Sequence, residues 1–212
     1  DIPPQDELEK TVREMVEEAL VMRNARALQP LTVPALLEPE AAGVVFHEAL
    51  GHRLEGERQI DDDEGQTFKE KVGKKIIPEF LTVIDDPSMS SFQGAHLMGY
   101  YPFDDQGVPG QRVVLVENGV LKNFLLSRTP VKGFDKSNGH GRASYGISPM
   151  ARMSNTIVES SAEYSREKLK EMLIEEVRKQ NKPFGLLINS MRGGATNTSS
   201  YNFQAFRGTP LV

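Results

Sequence analysis

The chain has 212 residues, neither cysteine nor tryptophan, a hydrophobic fraction of 38% and a formal net charge of −5. This length and composition are those of a globular protein with one sizeable or two small domains, and the lack of cysteine excludes disulfides and cysteine metal ligands within the chain. The acidic balance argues against direct nucleic-acid binding, and no apolar run reaches the roughly 18–20 residues of a membrane span.

Two helices are predicted near the start of the chain. Residues 6–28 carry apolar side chains at helical spacing after Pro3 and Pro4, which predicts an amphipathic helix. A second helix is predicted over residues 38–53, where an acidic, proline-containing first turn precedes AAGVVFHEALGH. This second helix places two histidines on, or at the end of, a buried segment.

The middle of the chain predicts strands. Residues 57–75 are polar and charged and are interpreted as an exposed, mobile loop or short helix. After them, LTVIDD at 81–86 is typical of a strand. The stretch 111–127 contains Asn118-Gly119 between two apolar runs, which is a strong signal for a β-hairpin.

The last third alternates loop and regular structure. Residues 132–155 are rich in Gly, Ser and Asn and predict a loop, whereas 165–180 predict a helix with Ser165 as its N-cap. A short buried strand is predicted at 185–190, followed by a turn or loop in RGGATNTSS.

These elements predict an α+β fold with an N-terminal amphipathic helix, a motif helix and an antiparallel, β-rich core. We interpret residues 1–34 as a helical extension from a preceding domain and residues 35–212 as part of one α+β domain. Because the chain begins at Asp1 and stops at Val212 after a strand-like approach, we expect a fragment whose C-terminal portion lies beyond it. Residues 1–20 do not resemble a signal peptide, so a cytoplasmic location is expected.

The segment HEALGHRLEGE concentrates possible metal ligands. Two neutral imidazoles, His47 and His52, beside the carboxylate of Glu48 match the usual surroundings of a catalytic zinc ion, whose bound water needs a base. The spacing is HExxxH, so residues i and i+5 diverge by about 140° on a regular α-helix. A shared ion therefore requires a π-type turn or an unwound helix at Gly51. The alternative is two ordinary histidines near a helix C-terminus.

Several segments together resemble the TldD/PmbA family of metallopeptidases. They are EPEAAGVVFHEALGHRLEGER, FDDQGVPGQRVVLVENGVLKNFLLS, PMARMSNT and RGGATN, and they span about residues 35–200 in the family's order. The resemblance implies a zinc-dependent peptidase acting on peptides or unfolded proteins, with His47 and His52 as zinc ligands and Glu48 as the base. It also implies a homo- or hetero-dimer with a related subunit, of which this chain resembles the metal-bearing one.

One family feature is missing from the chain. The resemblance implies a third ligand, a cysteine near the C-terminus, and this chain has no cysteine. The ligand then lies beyond Val212, or another residue replaces it. Glu55, His96 and His140 are the candidates within the chain, with His140 in the NGHGR loop expected to be the most accessible. Glu55 is equally suited to holding a histidine N–H.

Two functions remain open from the sequence. The favoured one is hydrolysis of an extended polypeptide, and the alternative is a non-catalytic scaffold subunit of an oligomer. Residues 192–194 (RGG) could present backbone groups to a peptide, although a plain turn is the simpler interpretation. The carboxylates at 61–64 lack the pattern of a calcium loop and are interpreted as a solvated face.

Overall fold

The structure is a computed structural model that describes residues 3–25, 29–60 and 67–207. The described part contains three α-helices, α1 (Gln5–Asn24), α2 (Pro39–Ala49) and α3 (Arg166–Lys179), and two 3₁₀ turns, Gly51–Leu54 and Gly56–Gln59. Its strands are β1 (Ala35–Leu37), β2 (Leu81–Asp85), β3 (Ser91–Phe92), β4 (Ala95–His96), β5 (Val113–Glu117), β6 (Val120–Leu121), β7 (Gly141–Arg142), β8 (Met150–Ala151), β9 (Thr156–Ser160), β10 (Leu186–Ile188), β11 (Met191–Thr196) and β12 (Phe203–Arg207). The α+β prediction is confirmed. No helix of the described part is both long and apolar enough to cross a membrane.

The chain divides into two compact units. The first unit takes residues from Asp1–Val44, Tyr164–Gly193 and Ala205–Val212. The second takes residues from Val45–Glu163 and Gly194–Gln204. Three of the four boundaries fall inside α2, β11 and β12, so each of these elements contributes to both units.

The first unit contains a small parallel sheet and a capped helix. Strands β1 and β10 pair in parallel, with Ala35 opposite Leu186. Helix α3 contacts β1 and begins as predicted, because the Ser165 hydroxyl accepts a hydrogen bond from the Lys168 backbone N–H at 3.2 Å. The predicted N-terminal helix is confirmed as α1, and none of its residues is buried.

The second unit is built on a four-stranded antiparallel sheet in the order β6-β5-β2-β9. The predicted hairpin joins β5 to β6, with Glu117 opposite Val120. Asn118 and Gly119 both have positive φ, 47° and 78°, as a type I′ hairpin turn requires. Core side chains that are fully buried include Leu54, Val83, Leu115, Val116, Leu121 and Leu125.

Strand β6 ends at Leu121, and Leu125 beyond it forms an isolated bridge with Glu55. Two details of the sequence interpretation are wrong. Residues 192–196 of the RGGATN segment are not a loop, because they belong to β11, which pairs with β12. Part of 57–75 is not exposed, because Phe68 lies in the core. The carboxylates at 61–64 lie outside the described residues.

Candidate metal centre

The three side chains of the HExxxH motif converge. One possible ligand atom from each of His47, Glu48 and His52 lies within 4.8 Å of the others. The two imidazole rings meet edge to face, with centroids 4.6 Å apart and planes at 80°. Glu48 is buried, His52 is partly buried and His47 is exposed, so the cluster has an open side and a closed side.

The convergence depends on an interruption of the motif helix. Helix α2 ends at Ala49, not at residue 53 as predicted. Leu50 has φ −124° and ψ −52°, and a 3₁₀ turn follows from Gly51 to Leu54. This break removes the angular divergence that an unbroken helix would impose on residues five apart. Of the two distortions considered, the structure therefore shows unwinding, one residue earlier than expected.

Gly51 brings the backbone at this break close to the side chain of Met153. A Cβ at that position would lie 2.2 Å from the sulfur of Met153. Real Cβ contacts do not approach so closely, so a larger residue at this position would push either Met153 or the turn away. The glycine thus lets the motif turn lie directly against Met153, which is partly buried and packs on the core.

Glu55 holds His52 through one of its ring nitrogens. Its carboxylate is fully buried, and its Oε1 lies 3.0 Å from Nδ1 of His52. Arg58 donates to Oε2 at 2.5 Å, and Nη1 of Arg152 lies 3.4 Å from Oε1. A carboxylate at Nδ1 favours the tautomer that carries its proton there and leaves Nε2 to bind a metal ion. The structure thus assigns Glu55 the role of histidine partner, one of the two roles considered for it.

Glu48 is fixed by residues that the sequence interpretation missed. Oε2 of Glu48 lies 2.6 Å from the hydroxyl of Thr196, the last residue of β11. The backbone carbonyl of Glu48 accepts from Arg53 at 3.1 Å. Thr196 is 148 residues away in the chain, and no periodicity or spacing signal links residues so far apart.

The electrostatic surroundings favour neutral imidazole at His47. Although this side chain is exposed, desolvation by nearby protein atoms lowers its pKa, and the neighbouring His52 lowers it further. The carboxylates of Glu48 and Glu55 raise the pKa by less. Because metals bind the neutral form of histidine, a lowered pKa suits a ligand.

The other two candidate ligands do not join the cluster. His140 was expected to be accessible, and this is wrong: it is fully buried. Its Nε2 lies 3.2 Å from Oδ1 of Asp85 and its Nδ1 lies 2.9 Å from Oδ1 of Asn138, so both ring nitrogens already have partners. His96 is exposed on β4 and does not belong to the described ligand cluster.

Comparison with known proteins places the chain among metallopeptidases. Residues 30–208 match the family described as PmbA/TldA metallopeptidase C-terminal domain. A metalloprotease of Methanocaldococcus jannaschii is 37% identical over 80% of this chain and 34% of its own length. One of Archaeoglobus fulgidus is 34% identical over 96% of this chain and 44% of its own length. A zinc metalloprotease TldD homolog of Saccharolobus solfataricus is 37% identical over 58% of this chain and 26% of its own length.

Comparison with solved structures agrees with the sequence matches. The crystal structure of TldE from Thermococcus kodakarensis matches 93% of this chain and 41% of its own, with a TM-score of 0.66 and 25% identity. The chain thus spans less than half the length of the relatives it matches. On the extent and identity of these matches, the chain belongs to the PmbA/TldD metallopeptidase family.

Proposed function

We propose that the protein is a zinc-dependent peptidase of extended or unfolded peptides, with His47 and His52 as zinc ligands and Glu48 as the catalytic base. The observation that carries the proposal is the convergence of two imidazoles and a buried carboxylate within 4.8 Å, at the point where α2 ends. A site that only holds a metal ion needs no base beside its first ligand.

The donor set fits zinc. Neutral imidazole is a usual zinc ligand, and a carboxylate partner behind one imidazole is common in zinc sites. Zinc, when bound, supplies Lewis acidity that lowers the pKa of a coordinated water to about 7. The chain has no cysteine, so a cysteine ligand of the kind that the family resemblance implies would have to come from outside these 212 residues.

Residues of this chain have the other roles in the proposed reaction. Glu48 accepts a proton from the attacking water and passes it to the leaving amine, as a general base and acid. His52 is held by a hydrogen bond to Glu55, which fixes its ring orientation.

An extended substrate is supported by the strand beside Glu48. Strand β11 pairs with β12, and no other described strand pairs with it. An extended peptide can add to such an edge through main-chain hydrogen bonds, next to the carboxylate that Thr196 holds. We also propose a homo- or hetero-dimer with a related subunit, no direct nucleic-acid ligand and a cytoplasmic location.

The test is hydrolysis of azocasein, an unfolded protein, by the purified protein incubated with zinc. We expect Glu48→Gln to lower the rate by about 10²–10⁴-fold, as loss of a general base does. Glu159→Gln, which alters an exposed carboxylate on β9, is the matched control and should keep the wild-type rate.

Two results would contradict the proposal. Wild-type rates in Glu48→Gln would show that this carboxylate is not the base. A wild-type protein that binds zinc and cleaves nothing would favour the scaffold alternative.

A further inference from the structure

Among the described residues, the Glu48 side chain accepts a hydrogen bond from one hydroxyl, on a strand distant in the sequence. The Thr196 hydroxyl lies 2.6 Å from Oε2 and 2.7 Å from the backbone carbonyl oxygen of Glu48. A hydroxyl has one proton, and a bond to an ionised carboxylate is the stronger of these two choices. Because Glu48 is only 5% exposed, this bond replaces hydration that the carboxylate has lost and selects one side-chain rotamer.

A buried arginine fixes the segment that carries this threonine. Arg53 is 1% exposed, and its Nη2 donates to the carbonyl oxygens of Asn197, Ser200 and Asn202 at 3.0–3.2 Å. Its Nη1 donates to the carbonyls of Glu48 and Ala49, at the end of α2. A buried guanidinium needs such acceptors, and those at a helix C-terminus are otherwise unpaired. Arg53 thus joins the turn after Thr196 to the end of the helix that carries Glu48.

The strand backbone leaves no space between itself and Glu48. A Cβ at Gly194 would lie 2.5 Å from Cγ of Glu48 and 2.2 Å from the carbonyl oxygen of Gln204. Glycine is therefore required two residues before Thr196, and the strand forms one wall around the carboxylate. Thr196 thus bonds to the Glu48 carboxylate, Arg53 bonds to its backbone carbonyl, and Gly194 packs against its side chain.

We infer that Thr196 is a positioning residue for Glu48 and that Arg53 holds the turn that presents it. The inference rests on the proposed function, since it assumes that Glu48 is the base. Thr196 touches no other group of the cluster in the contacts described, so its effect passes through Glu48 alone. A base displaced by about 1 Å can lose about 10²-fold in rate, so one hydroxyl is enough to be measurable.

The kinetic test compares Thr196→Val, which keeps the shape and removes the hydroxyl, with Thr196→Ser, which keeps the hydroxyl. With azocasein we expect Thr196→Val to lower kcat about 10–100-fold with KM and bound zinc unchanged. Thr196→Ser should stay within about threefold of wild type, because its hydroxyl can make the same bond. Thr129→Val, at an exposed position, is the matched control and should behave as wild type.

A second test does not depend on peptidase activity. The equilibrium constants of unfolding of Thr196→Val, Glu48→Ala and the double variant form a double-mutant cycle. We expect Thr196→Val to change that constant about tenfold when Glu48 is present and less than threefold in the E48A background, as a hydrogen bond to a charged group would. Equal effects in both backgrounds would overturn the inference, whether or not the protein cleaves azocasein.

The two proposals fail in different ways. If Glu48→Gln abolishes hydrolysis while Thr196→Val keeps the wild-type kcat, Thr196 has no positioning role and the peptidase proposal stands. If Glu48→Gln keeps full activity, the proposed function is wrong, and the cycle still decides whether Thr196 restrains Glu48.

Discussion

Two glycines have nearly the same positive φ, but only one of them has other atoms close to it. Substituting each by alanine therefore measures the cost of backbone strain separately from the cost of a steric clash. Gly119, in the hairpin turn, has φ 78°, and Gly107, in an exposed loop, has φ 76°. Alanine at either position should cost about 1–2 kcal/mol for adopting a left-handed conformation. At Gly107 nothing lies within 4 Å of the added Cβ, so that cost is the whole effect.

Gly119 carries an additional cost. Its Cβ would lie 2.5 Å from the carbonyl oxygen of Ile77 and 2.9 Å from that of Pro78. These are backbone atoms and cannot rotate away, so the segment must shift, at a further cost of about 1–3 kcal/mol. We expect Gly119→Ala to lower the free energy of unfolding by about 2–5 kcal/mol and Gly107→Ala by about 1–2 kcal/mol.

The measurement is urea-induced unfolding followed by far-ultraviolet circular dichroism, because the chain has no tryptophan. Free energies from linear extrapolation resolve a difference of this size. Equal destabilisation by the two substitutions, or a larger effect at Gly107, would refute the close approach of the hairpin turn to residues 77–79.

Three further substitutions test the capping, the core and the surroundings of the proposed metal. Ser165→Ala should lower the free energy of unfolding by about 1 kcal/mol in the same assay, because α3 loses its N-cap acceptor; no change would mean that the cap is not formed. Leu115→Ala should cost about 2–5 kcal/mol, because this side chain is fully buried in the sheet core; a cost below 1 kcal/mol would contradict that burial. Glu55→Gln should weaken zinc binding about 10–100-fold in a calorimetric titration, because His52 loses its anionic partner; unchanged affinity would show that the carboxylate does not support the ligand.

Short sequence patterns predicted the elements whose conformation depends on residues a few positions apart. The Asn118-Gly119 pair indicated the hairpin because few residues adopt positive φ at two successive positions. Ser165 indicated the start of α3 because its hydroxyl bonds within the same turn. Both predictions needed only residues within a few positions of each other.

Features determined by partners outside their own segment were missed. The RGGATN segment has the composition of a turn and becomes strand β11 through its pairing with β12. His140 lies in a polar, glycine-rich stretch and is nevertheless fully buried, because the carboxylate of Asp85 provides a partner in the interior. Composition alone does not show which loop residues have such partners.

At the candidate site too, features set by nearby residues were predicted and contacts with distant residues were not. The spacing of His47 and His52 predicted that the motif helix must be interrupted, and α2 does end between them. Thr196 and Arg53 were not predicted, because their contacts join parts of the chain more than 140 residues apart. Sequence reasoning thus supplied the side chains that we propose for the chemistry, whereas the structure was needed for those that contact them from distant parts of the chain.

The central claim is that His47 and His52 share one zinc ion, and zinc content tests it most directly. The purified protein, His47→Ala, His52→Ala and the control His96→Ala, which alters an exposed histidine on β4, are dialysed against the same zinc buffer and measured by elemental analysis. We expect near-stoichiometric zinc in the wild type and in His96→Ala, and its loss in the two motif variants. Equal zinc in all four proteins, or none in the wild type, would contradict the claim.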